Sequence, residues 1–172
     1  MSIAPGTHVM YTVRSGDTLY TIANQIGTNV PALVLANALH PPITDPNLIY
    51  PGWKLIARVP GMSQESALLY QVAPGDTLSQ IARMYSADVA RLAELNSIPN
   101  PNDLKVAQLL YIPAIVYEIE PGDTLYRIAT RFGITLDQLL RANSHRPGLS
   151  RDVIYAGFRL VVPQPNKTPT GG

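Results

Sequence analysis

Residues 11–37 read YTVRSGDTLYTIANQIGTNVPALVLAN, and the pattern returns as YQVAPGDTLSQIARMYSADVARLAELN at 70–96 and YEIEPGDTLYRIATRFGITLDQLLRAN at 117–143. The three segments align without a gap, and the asparagine stands 26 positions after the tyrosine in each. After the asparagine, each copy passes through a loop of different length into an apolar ending. Because each copy of such a repeat is one supersecondary unit, we expect three small units in tandem.

Within each copy the apolar residues change from strand spacing to helix spacing. Around the first tyrosine they alternate with polar residues, which is typical of a short strand with one buried face. The apolar residues at helical spacing in the first copy are Leu19, Ile22, Ala23 and Ile26 for one helix and Val30, Leu33 and Val34 for the next. The apolar endings are rich in β-forming residues and predict a closing strand. Each copy therefore reads strand, helix, helix, strand.

This order predicts an α+β fold of three tandem βααβ units, each a two-stranded antiparallel sheet with two helices on one face. The predicted domains are an N-terminal segment 1–10, a first unit 11–60, a linker 61–69, a second unit 70–113, a short linker 114–116, a third unit 117–163 and a disordered tail 164–172. We expect the longer linker to let the first unit move. The short apolar linker should make the second and third units pack together.

Composition excludes several classes of function. The 172 residues carry a net charge of +1, so there is no electrostatic footprint for nucleic acid. Cysteine is absent and the three histidines lie far apart, so we expect neither a cofactor nor a metal. No apolar run is long enough to cross a bilayer, and the start MSIAPGTHVM does not read as a signal peptide. We expect no membrane insertion, and cytoplasmic synthesis without classical export fits this start.

The repeated GDTL tetrapeptide has two interpretations. Its aspartate, or the threonine that follows, can cap the first helix, a contribution of about 1 kcal/mol. Alternatively, the helix N-terminus and the loop after the second helix bound a shallow groove at one end of the unit. Such a groove would be walled by backbone amides, small hydroxyls and apolar side chains. It would suit a neutral, extended, hydrogen-bonding ligand.

The three segments resemble lysin motif (LysM) repeats of the bacterial type. The resemblance is carried by Y-x-[VI]-x-x-GDTL-x-x-IA, by the asparagine that follows and by the closing apolar strand, and it covers residues 11–163. It implies a βααβ fold and non-catalytic binding of glycans that contain N-acetylglucosamine, namely peptidoglycan or chitin. It also implies anchoring or targeting to a cell wall.

The resemblance places the sugar between two walls in each unit. The implied first walls are Gly16, Asp17, Thr18 and Leu19; Gly75, Asp76, Thr77 and Leu78; and Gly122, Asp123, Thr124 and Leu125. The opposite walls are Asn37, Leu48, Ile49 and Tyr50; Asn96, Ile98, Leu104 and Lys105; and Asn143, Val153, Ile154 and Tyr155. The leucines have a second interpretation as core residues. We expect the asparagines to end the second helices in a left-handed conformation.

The units are not equivalent in sequence. The second has Ser79, Lys105 and Ala107 where the first has Tyr20, Tyr50 and Gly52, so we expect it to bind sugar most weakly. Outside the repeats too few residues remain for a catalytic domain, so we expect no enzyme activity.

Two alternatives to a glycan-binding protein stay open. One is the targeting part of a larger cell-wall hydrolase, and the other is a structural spore or envelope assembly protein that uses its repeats to bind protein partners. All three interpretations predict the cell wall, a spore or the extracellular surface of a bacterium as the location.

Overall fold

Three βααβ units follow one another along the chain, as the repeat predicts. The computed structural model describes residues 6–37, 48–60, 68–151 and 154–164. The elements are β1 His8–Thr12, α1 Leu19–Ile26, α2 Val30–Ala36 and β2 Lys54–Arg58; β3 Leu68–Gln71, α3 Leu78–Met84, α4 Val89–Leu95 and β4 Leu109–Ile112; and β5 Ala114–Glu118, α5 Leu125–Arg131, α6 Leu136–Ala142 and β6 Arg159–Pro163. The α+β class is confirmed. Within the described ranges, no helix is long and apolar enough to cross a membrane.

The first helix of every unit begins at the threonine of GDTL. The side chains of Thr18, Thr77 and Thr124 accept hydrogen bonds from the backbone N–H three residues later, at 3.1, 3.2 and 3.2 Å. The preceding glycine takes a left-handed conformation, with φ from 85° to 86° in the three units. Glycine adopts this conformation at no steric cost, which makes the tight exit from the strand possible. Of the two capping residues that the sequence allowed, threonine is therefore the cap.

The strands pair antiparallel within each unit, but the first two units share one sheet. β1 pairs with β2, β3 with β4 and β5 with β6. In addition β1 runs parallel to β3, with His8 opposite Leu68 and Met10 opposite Tyr70, which gives a four-stranded sheet in the order β2-β1-β3-β4. The expectation that the first unit moves independently is therefore wrong. Its strand hydrogen-bonds directly to the second unit.

The strands also begin earlier than the tyrosine pattern suggested. β3 starts at Leu68, inside the segment expected to be the longer linker, and β5 contains all of 114–116. β1 starts at His8, inside the segment expected to precede the first unit. Apart from His8 the added residues are apolar, and all of them gain backbone hydrogen bonds by extending the ladders.

Both faces of the first strand are buried, which differs from the single buried face predicted. Val9 and Tyr11 pack with α1 and α2, whereas Met10 joins the core of the second unit. Because Met10 and Tyr70 are opposite each other in the parallel register, α3 and α4 cover the face of the sheet that α1 and α2 do not.

The third unit completes this arrangement. Ala114, Ala142 and Val161 belong to the same buried cluster as Met10 and Ile56 of the first unit. The outer face of the β5-β6 ribbon is thus covered by the other two units. Residues of all three units thus meet in one of the three buried clusters of the described residues, while the first and third units also have clusters of their own.

Candidate functional site

The aspartate of GDTL holds the turn in shape by binding the repeat's first tyrosine. Asp17 Oδ2 accepts hydrogen bonds from the Tyr11 hydroxyl and the Arg14 N–H, both at 2.8 Å. The other two units repeat this pair, with Tyr70 donating to Asp76 at 2.8 Å and Tyr117 donating to Asp123 at 2.6 Å. The constant six-residue separation of tyrosine and aspartate was the sequence signal for this contact.

These bonds change the acidity of the groups that make them. Burial and the hydrogen bond to Asp17 raise the pKa of Tyr11 to about 12. In the third unit the hydrogen bond from Tyr117 lowers the pKa of Asp123. The tyrosine hydroxyls are therefore donors, and the aspartate side chains are committed to the turn.

The GDTL turn and the turn before the second strand lie side by side at one end of each unit. In the first unit the Val13 N–H donates to the Trp53 carbonyl, and the Gly52 N–H donates to the Val13 carbonyl, both at 2.8 Å. The same pair of bonds joins Val72 to Gln108 and Ala107 in the second unit and Ile119 to Phe158 and Gly157 in the third. The bonds thus join the residue after the first strand of each unit to the turn before its second strand. That the neighbouring segments wall a groove stays a prediction.

Uncharged groups are exposed at this end of the first unit, while Arg14 and Asp17 of the turn are half-buried. Gly16 and Thr18 are exposed on the GDTL side. Leu48 and Tyr50 are each 52% exposed on the other side, and the Tyr50 ring meets Trp53 edge-on with centroids 5.1 Å apart. Tyr20, which was not among the implied wall residues, is 68% exposed just after the cap. Backbone and apolar surface are therefore exposed together, while the Thr18 hydroxyl is engaged in the helix cap.

Other implied wall residues belong to the cores of the units. The leucines Leu19, Leu78 and Leu125 are 7%, 1% and 5% exposed, which favours their interpretation as core residues. Ile98 is buried, and Ile49, Leu104 and Ile154 are half-buried against the clusters of their own units. Val153 lies outside the described residues.

The asparagine of each repeat caps the outer edge of the second strand. Asn37 Nδ2 donates to the carbonyls of Leu33 and Ile56 at 2.9 and 2.8 Å, and its Oδ1 accepts from the Ile56 N–H at 2.7 Å. Asn96 binds Tyr111 and Asn143 binds Val161 in the same way. The side-chain amide replaces a missing neighbouring strand.

The expected left-handed conformation of these asparagines is wrong. Their φ angles are −118°, −105° and −110°, and each is the C-cap of its helix. Ser97, the residue after Asn96, takes the positive φ of 51° instead. The asparagine stays close to helical geometry because its side chain has to reach the strand edge.

In the second and third units, the end that carries the GDTL turn has other exposed residues than in the first. Lys105 and Ala107 are exposed in the second, and Ala107 keeps the turn by adopting φ 68°, where Gly52 and Gly157 have 90° and 85°. In the third, Arg127 Nη1 donates to the Gly122 carbonyl at 3.3 Å, which places a guanidinium on the GDTL wall. Tyr155 is 38% exposed on the opposite side.

A buried lysine connects the GDTL turn of the second unit to the rest of the molecule. Lys54 Nζ donates to Tyr70 Oη at 2.8 Å and to Thr12 Oγ1 at 3.1 Å, while its backbone N–H donates to the His145 carbonyl at 2.9 Å. Burial lowers the pKa of this lysine, and Asp76 opposes the effect. Sequence reasoning missed Lys54 because its partners come from three different units.

Comparison with known proteins gives relatives among cell-wall and secreted proteins. The endolysin of Bacillus phage B103 is 37% identical over 105 residues, which are 60% of this chain and 37% of the endolysin. The secreted LysM effector ECP6 of Passalora fulva is 32% identical over 110 residues, 63% of this chain and 47% of the effector. Among solved structures, the spore cortex-lytic enzyme SleL of Bacillus cereus matches with a TM-score of 0.43 and 34% identity over 62% of this chain and 22% of that one.

The chain spans less than half the length of these relatives. The LysM domain model matches residues 11–58, 70–113 and 117–163. These three regions make up most of the chain and coincide with the three βααβ units. The chain therefore belongs to the LysM domain family.

Proposed function

We propose that the chain binds glycans containing N-acetylglucosamine through the paired turns of its units, without catalysing a reaction. This binding would anchor the protein to a cell wall or target it there. The observation that supports this proposal is the pair of backbone hydrogen bonds from Val13 to Gly52 and Trp53, beside which Gly16, Thr18, Leu48 and Tyr50 are exposed. An acetamido sugar needs such a surface, since it offers donors, acceptors and an apolar face but no charge.

In this proposal the side chains and the backbone have separate roles. The backbone of Gly16 and Asp17 would hydrogen-bond the acetamide, at roughly 0.5–1.5 kcal/mol net per bond. The backbone groups of Thr18 are already bonded to Thr21 and Ile22. Leu48 and Tyr50 would support the sugar's apolar face. Asp17 and Asn37 would act indirectly, because their side chains are already bonded within the turn and to the strand edge.

The units would contribute unequally. The first has the most exposed aromatic surface beside its turn, and the second has Ser79 and Lys105 in place of two tyrosines. We expect the second unit to bind most weakly. A single shallow groove gives low affinity, but several grooves on one chain raise the avidity for a polymer by a factor on the order of 10² or more.

A second candidate function is the targeting part of a longer cell-wall hydrolase. It is favoured by relatives named endolysin and autolysin, of which this chain spans 37% and 14%. Glycan binding is common to both candidates. Peptidoglycan and chitin are both proposed ligands, and the location that follows is the bacterial cell wall, spore or extracellular surface. Binding of envelope or spore proteins is the remaining alternative.

Retention on insoluble peptidoglycan and on chitin, with competition by soluble N-acetylglucosamine oligomers, tests the proposal. Specific release by the oligomers supports glycan binding. Passage through both columns would refute it and favour protein partners.

A matched pair of variants tests the site. Thr18→Trp with Thr124→Trp fills the first and third grooves, and Thr18→Ala with Thr124→Ala removes the same two caps without adding bulk. Each cap is worth about 1 kcal/mol, so both double variants lose similar stability. We expect the tryptophan variant to bind chitin oligomers at least about tenfold more weakly than the alanine variant. Equal affinities would place the site elsewhere.

A further inference from the structure

A cavity lies where the first unit meets the second, on the sheet face that α1 and α2 cover only in part. It has a volume of about 560 Å³ and is lined by Val9, Gln25, Ile26, Gln71, Ala107, Gln108 and Leu109. The floor comes from β1, β3 and β4, which are neighbours in the four-stranded sheet. One wall is the last turn of α1, and the other is the turn at Ala107. This seam cavity shares Ala107 and Gln108 with the turn that lies beside the GDTL turn of the second unit, and both units are required to form it.

The lining of the seam cavity combines carboxamides with apolar side chains. Val9 and Ile26 belong to the core of the first unit, and Leu109 packs against that core. The three polar side chains are all glutamines, and no lining residue carries a charge. Glutamine offers both donors and an acceptor, so the lining suits an uncharged ligand with both kinds of group.

One of these glutamines has an unsatisfied acceptor. Gln71 Oε1 is buried and has no hydrogen-bond partner among the described residues. Gln108 Oε1, by contrast, accepts from the Lys105 N–H at 3.0 Å, which leaves its amide hydrogens free to donate outward. A buried acceptor without a donor costs about 1–3 kcal/mol, so an N–H supplied at Gln71 would be stabilising.

We propose that the seam cavity binds a secondary amide that carries a methyl group. The amide N–H donates to Gln71 Oε1, its carbonyl accepts from a glutamine amide, and its methyl rests on Val9 and Leu109. Both an N-acetylated amino sugar and an alanyl peptide present this group. The proposal does not depend on glycan binding at the GDTL turns.

Methyl NMR of the whole chain tests the site directly. The probes are tri-N-acetylchitotriose, N-acetyl-alanyl-alanine methylamide and, as a control without an amide, maltotriose. We expect saturable shifts of the Val9, Ile26 and Leu109 methyl signals with at least one amide probe and none with maltotriose. Shifts with tri-N-acetylchitotriose identify an amino sugar as the source of the amide, and shifts with N-acetyl-alanyl-alanine methylamide identify a peptide. Unchanged signals with both amide probes, or equal shifts with maltotriose, would overturn the proposal.

Gln71→Leu tests the assigned acceptor, with Gln164→Leu as the control. Both glutamines are half-buried at the ends of strands, but Gln164 does not line the cavity. We expect Gln71→Leu to lower the affinity of the amide probe for the seam cavity at least about fivefold, since one hydrogen bond is lost. Gln164→Leu should leave this affinity unchanged. Equal binding by the two variants would overturn the assignment.

Performing the titrations in a Thr18→Trp, Thr77→Trp, Thr124→Trp background fills all three proposed grooves, including the one next to the seam cavity, and so separates this site from the proposed function. Loss of retention on chitin with persistent methyl shifts at the seam means that both sites exist. If the unmodified protein is not retained on peptidoglycan or chitin but the methyl shifts at the seam occur, only the proposed function is refuted. Absence of seam shifts alone refutes only the seam site.

Discussion

At the scale of single residues, the second unit shows how a turn can keep its shape with an unfavourable amino acid. Ala107 has φ 68°, in the region where Gly52 and Gly157 stand at 90° and 85° in the other units. A left-handed alanine costs roughly 1–2 kcal/mol, because its Cβ approaches the following carbonyl. Two hydrogen bonds hold it there, from its own N–H to the Val72 carbonyl at 2.8 Å and from the Val72 N–H to the Gln108 carbonyl at 2.9 Å.

Ala107→Gly should therefore stabilise the protein. We expect the free energy of unfolding to rise by about 1 kcal/mol and the melting temperature by about 2–4 °C. Gly157→Ala is the reciprocal variant, with open space around the added Cβ but φ 85°, and it should lower stability by a similar amount. Thermal unfolding measures both. A stabilising Gly157→Ala would show that backbone strain is not the deciding term.

The buried, neutral side chain of His8 gives a second prediction at this scale. Burial, together with the charges of Arg159 and Arg58, lowers the pKa of His8 from 6.5 to about 4. The folded protein keeps this histidine neutral, whereas the unfolded chain takes up a proton near pH 6.5. Stability is therefore complete above pH 6.5 and falls as the pH drops to about 4, by on the order of 3 kcal/mol.

Urea unfolding at several pH values measures this loss, and His8→Gln should flatten it. The imidazole signals of His8 in the folded protein provide the direct check. A midpoint near pH 6.5 in the NMR titration would contradict the prediction.

At the scale of elements, the repeated asparagine explains how a short unit ends its sheet. Asn37 and Asn96 make the same three hydrogen bonds, to the carbonyl one helical turn back and to both backbone groups of the central residue of the second strand. They differ in burial, since Asn37 is fully buried and Asn96 is partly exposed. If the asparagine side chain is removed, water can therefore bond the freed backbone groups only at Asn96.

Asn37→Ala should consequently cost more than Asn96→Ala. We expect a loss of about 3 kcal/mol for Asn37→Ala, because the Ile56 N–H and carbonyl are left buried without partners, and about 1 kcal/mol for Asn96→Ala. Chemical denaturation of the two variants gives the comparison. Equal losses would mean that burial does not control the energy of the cap.

The elements also show which parts of the fold the sequence could predict. The helices and the second strands were predicted because their signals are local: apolar residues at helical spacing, a capping threonine, and β-forming residues after a turn. The parallel pairing of β1 with β3 was not predicted. It depends on Met10 and Tyr70 meeting across two units, which no local pattern records.

The sequence likewise predicted only part of the structure around the GDTL turns. That the two turns of each unit wall a glycan groove stays a prediction, and several side chains at these turns have roles other than those the resemblance implied. Asp17 binds Tyr11, Leu19 lies in the core and Asn37 caps a strand. Their roles depend on partners that fold back from distant positions, and only the tyrosine–aspartate spacing hinted at one of them.

At the scale of the whole molecule, three units of LysM type form one body. One buried cluster contains residues of all three, and Arg146 of the third unit reaches the first. Arg146 Nη2 donates to Asn37 Oδ1 at 3.1 Å and to the Ala36 carbonyl at 3.4 Å. Its Nη1 donates to the Arg159 carbonyl and to Asn143 Oδ1, so its acceptors within the described residues are neutral oxygens.

This guanidinium lies between the C-terminal ends of α2 and α6, where helix dipoles favour a cation. Its centre is 4.5 Å from the centroid of the Phe158 ring, which adds a favourable contact with the aromatic face. Burial nevertheless lowers the pKa of Arg146 to about 9. The group thus joins two helix ends and two units while remaining charged at neutral pH.

We therefore expect the three units to unfold in one transition. Trp53, the single tryptophan, reports on the first unit by fluorescence, while far-UV circular dichroism reports on all helices and strands. Both signals should give one urea midpoint.

Arg146→Ala should lower the free energy of unfolding by about 2–4 kcal/mol, since charged hydrogen bonds are lost and a void is left. The control Arg151→Ala removes an exposed ion pair with Asp137 and should cost less than about 1 kcal/mol. Separate midpoints in the unmodified protein, or equal losses in the two variants, would show that the units fold independently.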